Sequence, residues 1–403
     1  MTRTVPPHRL LTLQEAMDQL GVSRSTIDRW RRQRRLPFIK IGKEVLFDPL
    51  ELERWVRKHG IIAEPPFTAA GTKPEQDDVV TIGYQSGTAH MWSPIIIREL
   101  RLFEQELAEF RLGRAIQVRW EDASSGLDLV EGMIAGRVQL ASLGDYPIVM
   151  SRHLSRILPG FDVALLAFDG KSPGGRGISI AMPHGGRIKH LEDLLSATIA
   201  TVPHSSAEFR LQLLLRQSGQ SGWTVEHCSM KESWNSLLEK RVQASVMWEP
   251  YISLTQYAGA GHVLYESGIG GDYLTGLIGH RQWASRNEPI VLAYLKAHLR
   301  AHRFMREEPF TAAKIVARAT GFPFPVAVSV LNRVRWDAAV YTKDLMSLRE
   351  LPAFPSIGPA NPLSAPDPLI AETDYLAEAA RLLALPRFGS ELRDSEWSAQ
   401  FCY

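Results

Sequence analysis

Short apolar segments alternate with amphipathic helical segments through the middle of the chain. A first strand starts at Val79, a helix with one apolar face covers 95–110, and a second strand covers 116–120. Alternation of this kind is typical of α/β domains, in which mostly parallel sheets are covered by helices. An extended pair of segments at 163–168 and 177–183, midway along the series, predicts that this domain has two lobes.

The chain is expected to divide into three parts. Its 403 residues fit two or three domains of ordinary size. A linker is predicted at 61–78, because this region contains three prolines and no periodic apolar pattern. It separates a small domain at 1–60 from the large α/β domain at 79–403. The two lobes of the large domain are expected to comprise about 79–165 with 275–403, and about 177–270.

The charge of the chain is unevenly distributed. The formal net charge is only +2, yet residues 1–60 contain 13 Lys and Arg against 7 Asp and Glu, a net charge of +6. The remaining residues therefore carry a net charge of −4. Between Arg24 and Lys43 there are eight basic residues and one acidic residue, Asp28. This distribution favours a polyanion-binding domain attached to a slightly acidic body.

The basic region has the pattern of a helix-turn-helix with a wing. The sequence Thr12-Leu-Gln-Glu15 has the form of a capping box and predicts the start of a first helix. Gly21 is expected to end that helix, and Ser23 to cap a second helix that continues to Gln33. Residues 36–47 predict two short strands around a glycine. Such an arrangement can place its second helix in a DNA major groove.

This region resembles the excisionase and MerR-like winged helix-turn-helix family. The resemblance is carried by LTLQEAMDQLGVSRSTIDRWRRQRRLPFIKIGKEVLFDPLELERWV. The family binds DNA, so the resemblance implies DNA contacts from the second helix and from the wing, and a small module of this kind is expected to work as a homodimer on a two-part operator. The residues expected at the DNA are Ser23, Arg24, Ser25, Thr26, Arg29, Arg32, Lys40 and Lys43.

The large domain resembles the substrate-binding proteins of nitrate, sulfonate and taurine ABC transporters, a group that includes binding proteins for thiamine-precursor pyrimidines. The resemblance is carried by VTIGYQSGTAHMW, GLDLVEGMIAGRVQLASLGDYPIVMSR, ISIAMPHGGRIKHLEDLLSATIATVPHSSAEFRLQLLL and LLEKRVQASVMWEPYISL, in this order. It implies the bilobal type II periplasmic-binding-protein fold, which closes around a small molecule held between its lobes.

The ligand site is expected in the loops that follow the strands, because ligands of open α/β sheets bind outside the carboxyl ends of the strands. Serines that precede helices suit an anionic ligand group, although each could be a plain helix cap. Asp145 and Glu249 could hold a cationic group, so an aminosulfonate is predicted, with a small N-heterocycle as the alternative. The candidate ligand residues are Tyr84, Ser86, Gly87, Trp92, Ser124, Ser125, Asp145, Tyr146, His204, Ser205, Ser206, Trp248, Glu249 and Tyr273.

An enzymatic function is not expected. Some relatives of the fold are enzymes, including a desulfinase with a cysteine nucleophile and pyrimidine synthases. Ser86 stands where such a thiol is expected, and the two cysteines, Cys228 and Cys402, are poorly placed for nucleophilic chemistry. Five histidines are scattered and show no metal-ligand spacing like that of H-E-x-x-H; they are His90, His153, His184, His190 and His204. No catalytic residue, cofactor or metal is therefore predicted.

The sequence as a whole predicts a one-component transcription regulator that senses a small molecule and binds a DNA operator. The alternatives are an ABC-transporter substrate-binding protein and an enzyme on the same fold. The first residues lack the apolar core of a secretory signal, and no apolar run approaches the ~20 residues of a membrane span. A cytoplasmic location without membrane association is therefore expected.

Overall fold

The computed structural model describes most of the chain in two compact units, residues 1–72 and 73–403. None of the helices in the described part is long and apolar enough to cross a membrane. The described residues are 11–20, 27, 31, 36–41, 44–47, 78–185, 188, 190–194, 197–218, 223–351, 371–386, 396–398 and 401.

The first unit contains a three-stranded antiparallel sheet and a helix. Its elements are β1 (Leu11–Thr12), α1 (Leu13–Leu20), β2 (Ile39–Ile41) and β3 (Glu44–Phe47), and the strand order is β1-β3-β2. The predicted capping box is present, because the amide of Thr12 donates to Glu15 Oε2 at 2.8 Å and the amide of Glu15 donates to Thr12 Oγ1 at 3.2 Å. The pairing of β2 with β3 corresponds to the predicted pair of wing strands. A small core is formed by Ala16, Ile27, Leu36 and Phe47.

The second unit contains two sheets. Its strands are β4 (Val79–Tyr84), β5 (Gln117–Asp122), β6 (Leu140–Gly144), β7 (Val163–Ser172), β8 (Ile178–Pro183), β9 (Thr198–Thr201), β10 (Thr224–His227), β11 (Ala244–Trp248), β12 (Gly261–Val263), β13 (Tyr273–His280) and β14 (Arg335–Trp336). The six-stranded sheet of the first lobe has the order β14-β7-β13-β6-β4-β5, and the five-stranded sheet of the second lobe has the order β10-β9-β11-β8-β12.

Helices cover both faces of the first sheet, and three helices pack on the second. The described helices are α2 (Ser93–Glu99), α3 (Leu102–Glu109), α4 (Gly126–Ile134), α5 (Asp145–Ile157), α6 (Ser206–Ser218), α7 (Met230–Leu238), α8 (Tyr251–Tyr257), α9 (Arg281–Arg286), α10 (Glu288–Glu307), α11 (Pro309–Thr320), α12 (Phe324–Leu331), α13 (Thr342–Arg349) and α14 (Thr373–Leu382).

The bilobal α/β architecture agrees with the expectation, but the sheets are mixed. In the first lobe β4 pairs in parallel with β5 and β6, whereas β13 lies antiparallel between β6 and β7. The antiparallel strands arise where the chain leaves one lobe and returns from the other, so they do not follow from the βαβ pattern. The helix predicted at 95–110 is also divided, because Arg101 adopts a left-handed conformation (φ 54°) between α2 and α3.

Two crossover segments join the lobes. The chain leaves the first lobe after Ser172 and returns before Tyr273. Gly175 has a φ of 71°, and a Cβ atom there would lie 2.2 Å from the carbonyl oxygen of Ile269. Gly268 has a φ of 86°, and a Cβ atom there would lie 2.2 Å from the carbonyl oxygen of Gly175. The crossovers can therefore pack backbone against backbone only with glycine at both positions.

A fully buried ion pair fastens α13 to the first sheet. Lys171 Nζ, on β7, lies 2.5 Å from Asp344 Oδ2 and donates to the carbonyl oxygen of Ala339 at 2.6 Å. The indole of Trp397 donates to Asp344 Oδ1 at 2.7 Å. Both charged side chains are completely inaccessible to solvent, so neither charge has water as a substitute partner.

We expect Lys171→Met to lower the free energy of unfolding by about 3–5 kcal/mol, because it leaves the carboxylate of Asp344 buried without its cation. The double variant Lys171→Met/Asp344→Leu, which removes both charges, should recover a large part of that loss. Guanidinium unfolding of the three proteins measures the difference. A single variant as stable as the wild type would contradict the assigned importance of the pair.

Candidate functional site

The loop after β4 is fixed from three directions at the carboxyl edge of the first sheet. The amide of Ser86 donates to Asp122 Oδ1 at 2.8 Å, from the end of the neighbouring strand β5. The indole of Trp92 donates to the carbonyl oxygen of Ser86 at 3.0 Å. From the second lobe, the indole of Trp248 donates to the carbonyl oxygen of Gly87 at 2.9 Å. Two of the candidate aromatic residues therefore position the backbone of this loop.

The end of β11 meets the same loop through its backbone. The amide of Ala89 donates to the carbonyl oxygen of Glu249 at 2.8 Å. A Cβ atom on Gly87 would lie 3.7 Å from the hydroxyl of Tyr251, at ordinary contact distance. The first and last predicted ligand loops, which lie about 160 residues apart in the chain, are thus in direct contact.

A buried ion pair joins the lobes beside these loops. Asp145, the first residue of α5, receives a hydrogen bond at 2.7 Å from the guanidinium of Arg210 on α6. Their side chains are 1% and 3% exposed. Arg210 also donates to the carbonyl oxygen of Asp272 at 2.9 Å and lies over the ring of Tyr273, 5.3 Å from its centroid. The carboxylate expected to hold a cationic ligand group is therefore already paired with a protein cation.

Ser206 brings the start of α6 against the start of α5. The amide of Tyr146 donates to Ser206 Oγ at 3.4 Å and, more closely, to Asp145 Oδ1 at 2.7 Å. A Cβ atom on Gly144 would lie 2.8 Å from Ser206 Oγ, so the absence of a side chain there permits the contact. Ser206 is thus an inter-lobe contact in this structure.

Three other candidate serines bond within the first turns of the helices that they precede. Ser125 Oγ accepts from the amide of Asp128 at 3.2 Å, and Ser124 Oγ donates to Asp128 Oδ2 at 2.8 Å. Ser205 Oγ accepts from the amide of Glu208 at 3.2 Å and donates to the carbonyl oxygen of Val202 at 2.6 Å. The helix-cap interpretation therefore accounts for their contacts in this structure.

Glu249, the second candidate carboxylate, is also paired. Its Oε1 accepts from the guanidinium of Arg333 at 2.9 Å and from the hydroxyl of Ser253 at 2.9 Å. Burial raises the pKa of this carboxyl above its usual range, and the charge of Arg333 opposes that shift. Both candidate carboxylates, Asp145 and Glu249, are therefore paired with an arginine of the protein.

The candidate aromatic side chains lie mainly in the interior. Tyr84, Trp92 and Tyr273 are at most 1% exposed and present almost no surface to a ligand. In this structure these three side chains belong to the hydrophobic core, whereas they were expected to form walls of the cleft. Tyr146 stacks on Phe209, with ring centroids 5.6 Å apart.

Five candidate ligand residues keep some access to solvent. His204 is exposed, has a φ of 53°, and donates its amide to Glu208 Oε2 at 2.6 Å. The same carboxylate, through Oε1, lies 2.6 Å from the imidazole Nε2 of His227. The candidates with accessible surface are Ser86, Gly87, Ser124, Ser125 and His204. They offer hydroxyl, amide and imidazole groups, which suit a hydrogen-bonding or anionic ligand.

Arg210 was not among the residues singled out from the sequence. It lies four residues after Ser206 on α6, so both side chains fall on one face of the helix. Because Ser206 was predicted at the cleft, the spacing of four residues on a helix could also have predicted Arg210 there.

Most candidate DNA-binding residues lie outside the described part of the chain. This holds for Ser23, Arg24, Ser25, Thr26, Arg29, Arg32 and Lys43. Lys40 is described, and its side chain is exposed on β2, in agreement with a position on the surface of the wing.

Comparison with known proteins gives matches for both units. The model of a helix-turn-helix domain matches residues 10–60. An Escherichia coli (strain K12) protein that is named for aliphatic sulfonate binding is 24% identical over 280 residues, which are 68% of this chain and 81% of the relative.

Two solved structures show the fold of the second unit. The alkanesulfonate-binding protein SsuA from Xanthomonas axonopodis pv. citri, bound to MOPS, has a TM-score of 0.57 and 20% identity, covering 69% of this chain and 91% of that chain. The periplasmic nitrate-binding protein NrtA from Synechocystis PCC 6803 has a TM-score of 0.58 and 13% identity, covering 77% and 90%.

These similar proteins are solute-binding proteins and not enzymes. The chain carries an N-terminal helix-turn-helix domain, and its remainder has the α/β fold of sulfonate- and nitrate-binding proteins.

Proposed function

We propose that this protein is a one-component transcription regulator, in which the helix-turn-helix domain binds a DNA operator and the second unit senses a small molecule. The observation that carries the proposal is the presence of both parts in one chain. A solute-binding protein that only delivers ligand to a permease has no use for a DNA-binding domain. The proposal places the protein in the cytoplasm, as a homodimer on a two-part operator.

The proposed effector is a small organic anion, with sulfonates as the first class. The similar proteins are named for sulfonates and nitrate, which are anions. In this chain Asp145 and Glu249 are paired with Arg210 and Arg333, so they offer little to an ammonium group. The accessible groups include His204, Ser124 and Ser125, which lie beside the amino-terminal ends of α6 and α4, where the helix dipole favours negative charge.

The proposed signal is a change in how the two lobes are held together. Loops from both lobes already meet through Gly87 with Trp248 and through Asp145 with Arg210. An anion that binds loops of both lobes would favour one lobe arrangement over others, and this bias can be coupled to DNA binding. Thermodynamic linkage then requires that DNA changes the affinity for the effector by the same factor.

We expect a sulfonate effector to change the DNA affinity of the full chain at least about fivefold, because allosteric coupling free energies are typically 1–3 kcal/mol. The measurement is fluorescence anisotropy on a DNA site selected from a random library, with and without ethanesulfonate, taurine or MOPS. Equal DNA affinity at saturating sulfonate would contradict the sensor function. Arg24→Ala/Arg29→Ala is the control, and it should lose DNA binding while keeping its sulfonate affinity.

We expect His204→Asn to weaken sulfonate binding about tenfold, since it removes one imidazole hydrogen bond worth roughly 1–1.5 kcal/mol. Asparagine tolerates the left-handed backbone at this position, so the fold should remain intact. Isothermal titration calorimetry with the sulfonate that stabilises the wild type most in a thermal-shift screen gives the dissociation constants.

His190→Asn is the matched control for this variant, because His190 is an exposed histidine of the same lobe away from the strand ends of the cleft. Equal affinities for the wild type, His204→Asn and His190→Asn would exclude His204 from the ligand site.

A further inference from the structure

Two histidines lie one helical turn apart inside the first lobe. His298 and His302, in the sequence His-Leu-Arg-Ala-His, belong to α10, and neither has any exposed surface. Residues four apart share one face of a helix, and a pair of histidines at this spacing is a recurrent way of holding a metal ion. Their ring centroids are 4.2 Å apart. This pair is separate from the five histidines for which no metal-ligand spacing was found.

A buried carboxylate faces the two imidazoles from the sheet. Asp169, on β7, has no exposed surface, and its Oδ1 lies 3.1 Å from His302 Nε2. One ligand atom from each of Asp169, His298 and His302 lies within 4.8 Å of the others. We call these three residues the His–Asp cluster.

The hydroxyl of Ser93 lies between the carboxylate and one imidazole. It donates to Asp169 Oδ2 at 2.7 Å and lies 3.2 Å from His298 Nδ1. Ser93 is the first residue of α2, so the His–Asp cluster connects β7, α10 and α2. A second hydroxyl, that of Ser142 on β6, donates to Asp169 Oδ2 at 3.2 Å.

With Asp169 ionised, the protons available within the His–Asp cluster do not satisfy all of its acceptors. His298 Nε2 lies 2.8 Å from the carbonyl oxygen of Phe168, which can only accept, so this nitrogen carries the ring proton. His298 Nδ1 is then an acceptor, yet the one proton of Ser93 is directed to Asp169. His302 Nδ1 is buried and has no hydrogen-bond partner in the described structure. Buried polar atoms are nearly always paired, so such exceptions indicate a missing group.

The charge of the His–Asp cluster is also uncompensated. The described donors to Asp169 are two serine hydroxyls and one imidazole, and none is a lysine or arginine. Asp169 is fully buried, so an ionised carboxylate there would leave one negative charge in a solvent-free interior, which is costly.

We propose that Asp169, His298 and His302 bind a divalent first-row transition metal, with zinc as the expected occupant. Two neutral imidazoles and one carboxylate form a typical donor set for zinc. The bond from His298 Nε2 to the carbonyl oxygen of Phe168 is the outer-shell contact that commonly orients a metal-bound histidine. The cation offsets the charge of Asp169 and gives His298 Nδ1 and His302 Nδ1 the partner that each lacks.

The burial of the His–Asp cluster determines how the metal is acquired. All three side chains are inaccessible to solvent, so the ion enters while the chain folds and cannot exchange freely afterwards. The ion therefore stays bound in the folded protein, and it fastens α10 to β7 of the first sheet.

The test uses the tag-free full chain, produced in zinc-supplemented medium and dialysed against EDTA under native conditions. Mass spectrometry should find about one zinc ion per chain, since one set of three protein ligands is present. Guanidinium should release this zinc to a chromogenic chelator. Less than about one tenth of an equivalent of any first-row metal, in both this protein and protein refolded with Zn²⁺, would overturn the proposal.

Variants assign the bound metal to the His–Asp cluster. His302→Gln and Asp169→Asn should lose it, whereas His153→Gln should retain it. His153 is the matched control, because it is a buried histidine of the same lobe that lies outside the cluster. Retention of a full equivalent by both cluster variants would overturn the assignment.

Refolding with Co²⁺ keeps the proposal testable if the cluster variants fail to fold. The wild type should then retain about one Co²⁺ per chain after gel filtration, and its absence would contradict the proposed metal site. The double variant Arg24→Ala/Arg29→Ala should bind the same amount of metal as the wild type. The measured metal content therefore tests the metal site separately from DNA and effector binding.

Discussion

The buried ion pair between Asp145 and Arg210 joins the two lobes where the predicted ligand loops meet. Both charges are almost free of solvent, so removing one would leave the other uncompensated in the interior. The pair holds the start of α6 against the start of α5, where Ser206 Oγ accepts from the amide of Tyr146. Gly144 permits this approach because a side chain there would collide with Ser206. The positions of the ligand loops relative to one another therefore depend on this contact.

The same pairing constrains what the cleft can recognise. Asp145 neutralises Arg210, and Arg333 neutralises Glu249, so the strongest charges near the loops are already satisfied by each other. What remains accessible is a set of neutral or weakly basic donors, including Ser86 and His204. Helix N-termini and hydroxyls of this kind can hold an anion by hydrogen bonds and dipoles, without a full ion pair. This is the physical basis for favouring an anionic effector over the aminosulfonate or N-heterocycle that the sequence suggested.

The sequence indicated the two-lobed fold and the loops of the site because both follow from local patterns. Strand-and-helix alternation predicts the βαβ segments, and it places Ser86 and Ser206 after the carboxyl ends of strands, one in each lobe. The sequence did not indicate that β13 lies antiparallel to its neighbours, because this depends on where the chain returns from the second lobe. It also did not distinguish Tyr84 and Trp92 from aromatic residues that face a ligand, because burial is decided by tertiary packing. The partner of Asp145 was missed because Arg210 is 65 residues away in the chain.

The polar interior of the first lobe and its first ligand loop are connected through two adjacent residues. The indole of Trp92 donates to the carbonyl oxygen of Ser86, within the ligand loop. The next residue, Ser93, donates its hydroxyl to Asp169 inside the His–Asp cluster. The backbone between these two side chains is short and lies at the start of α2, so one turn of chain carries both a contact to the ligand loop and a contact to the buried carboxylate.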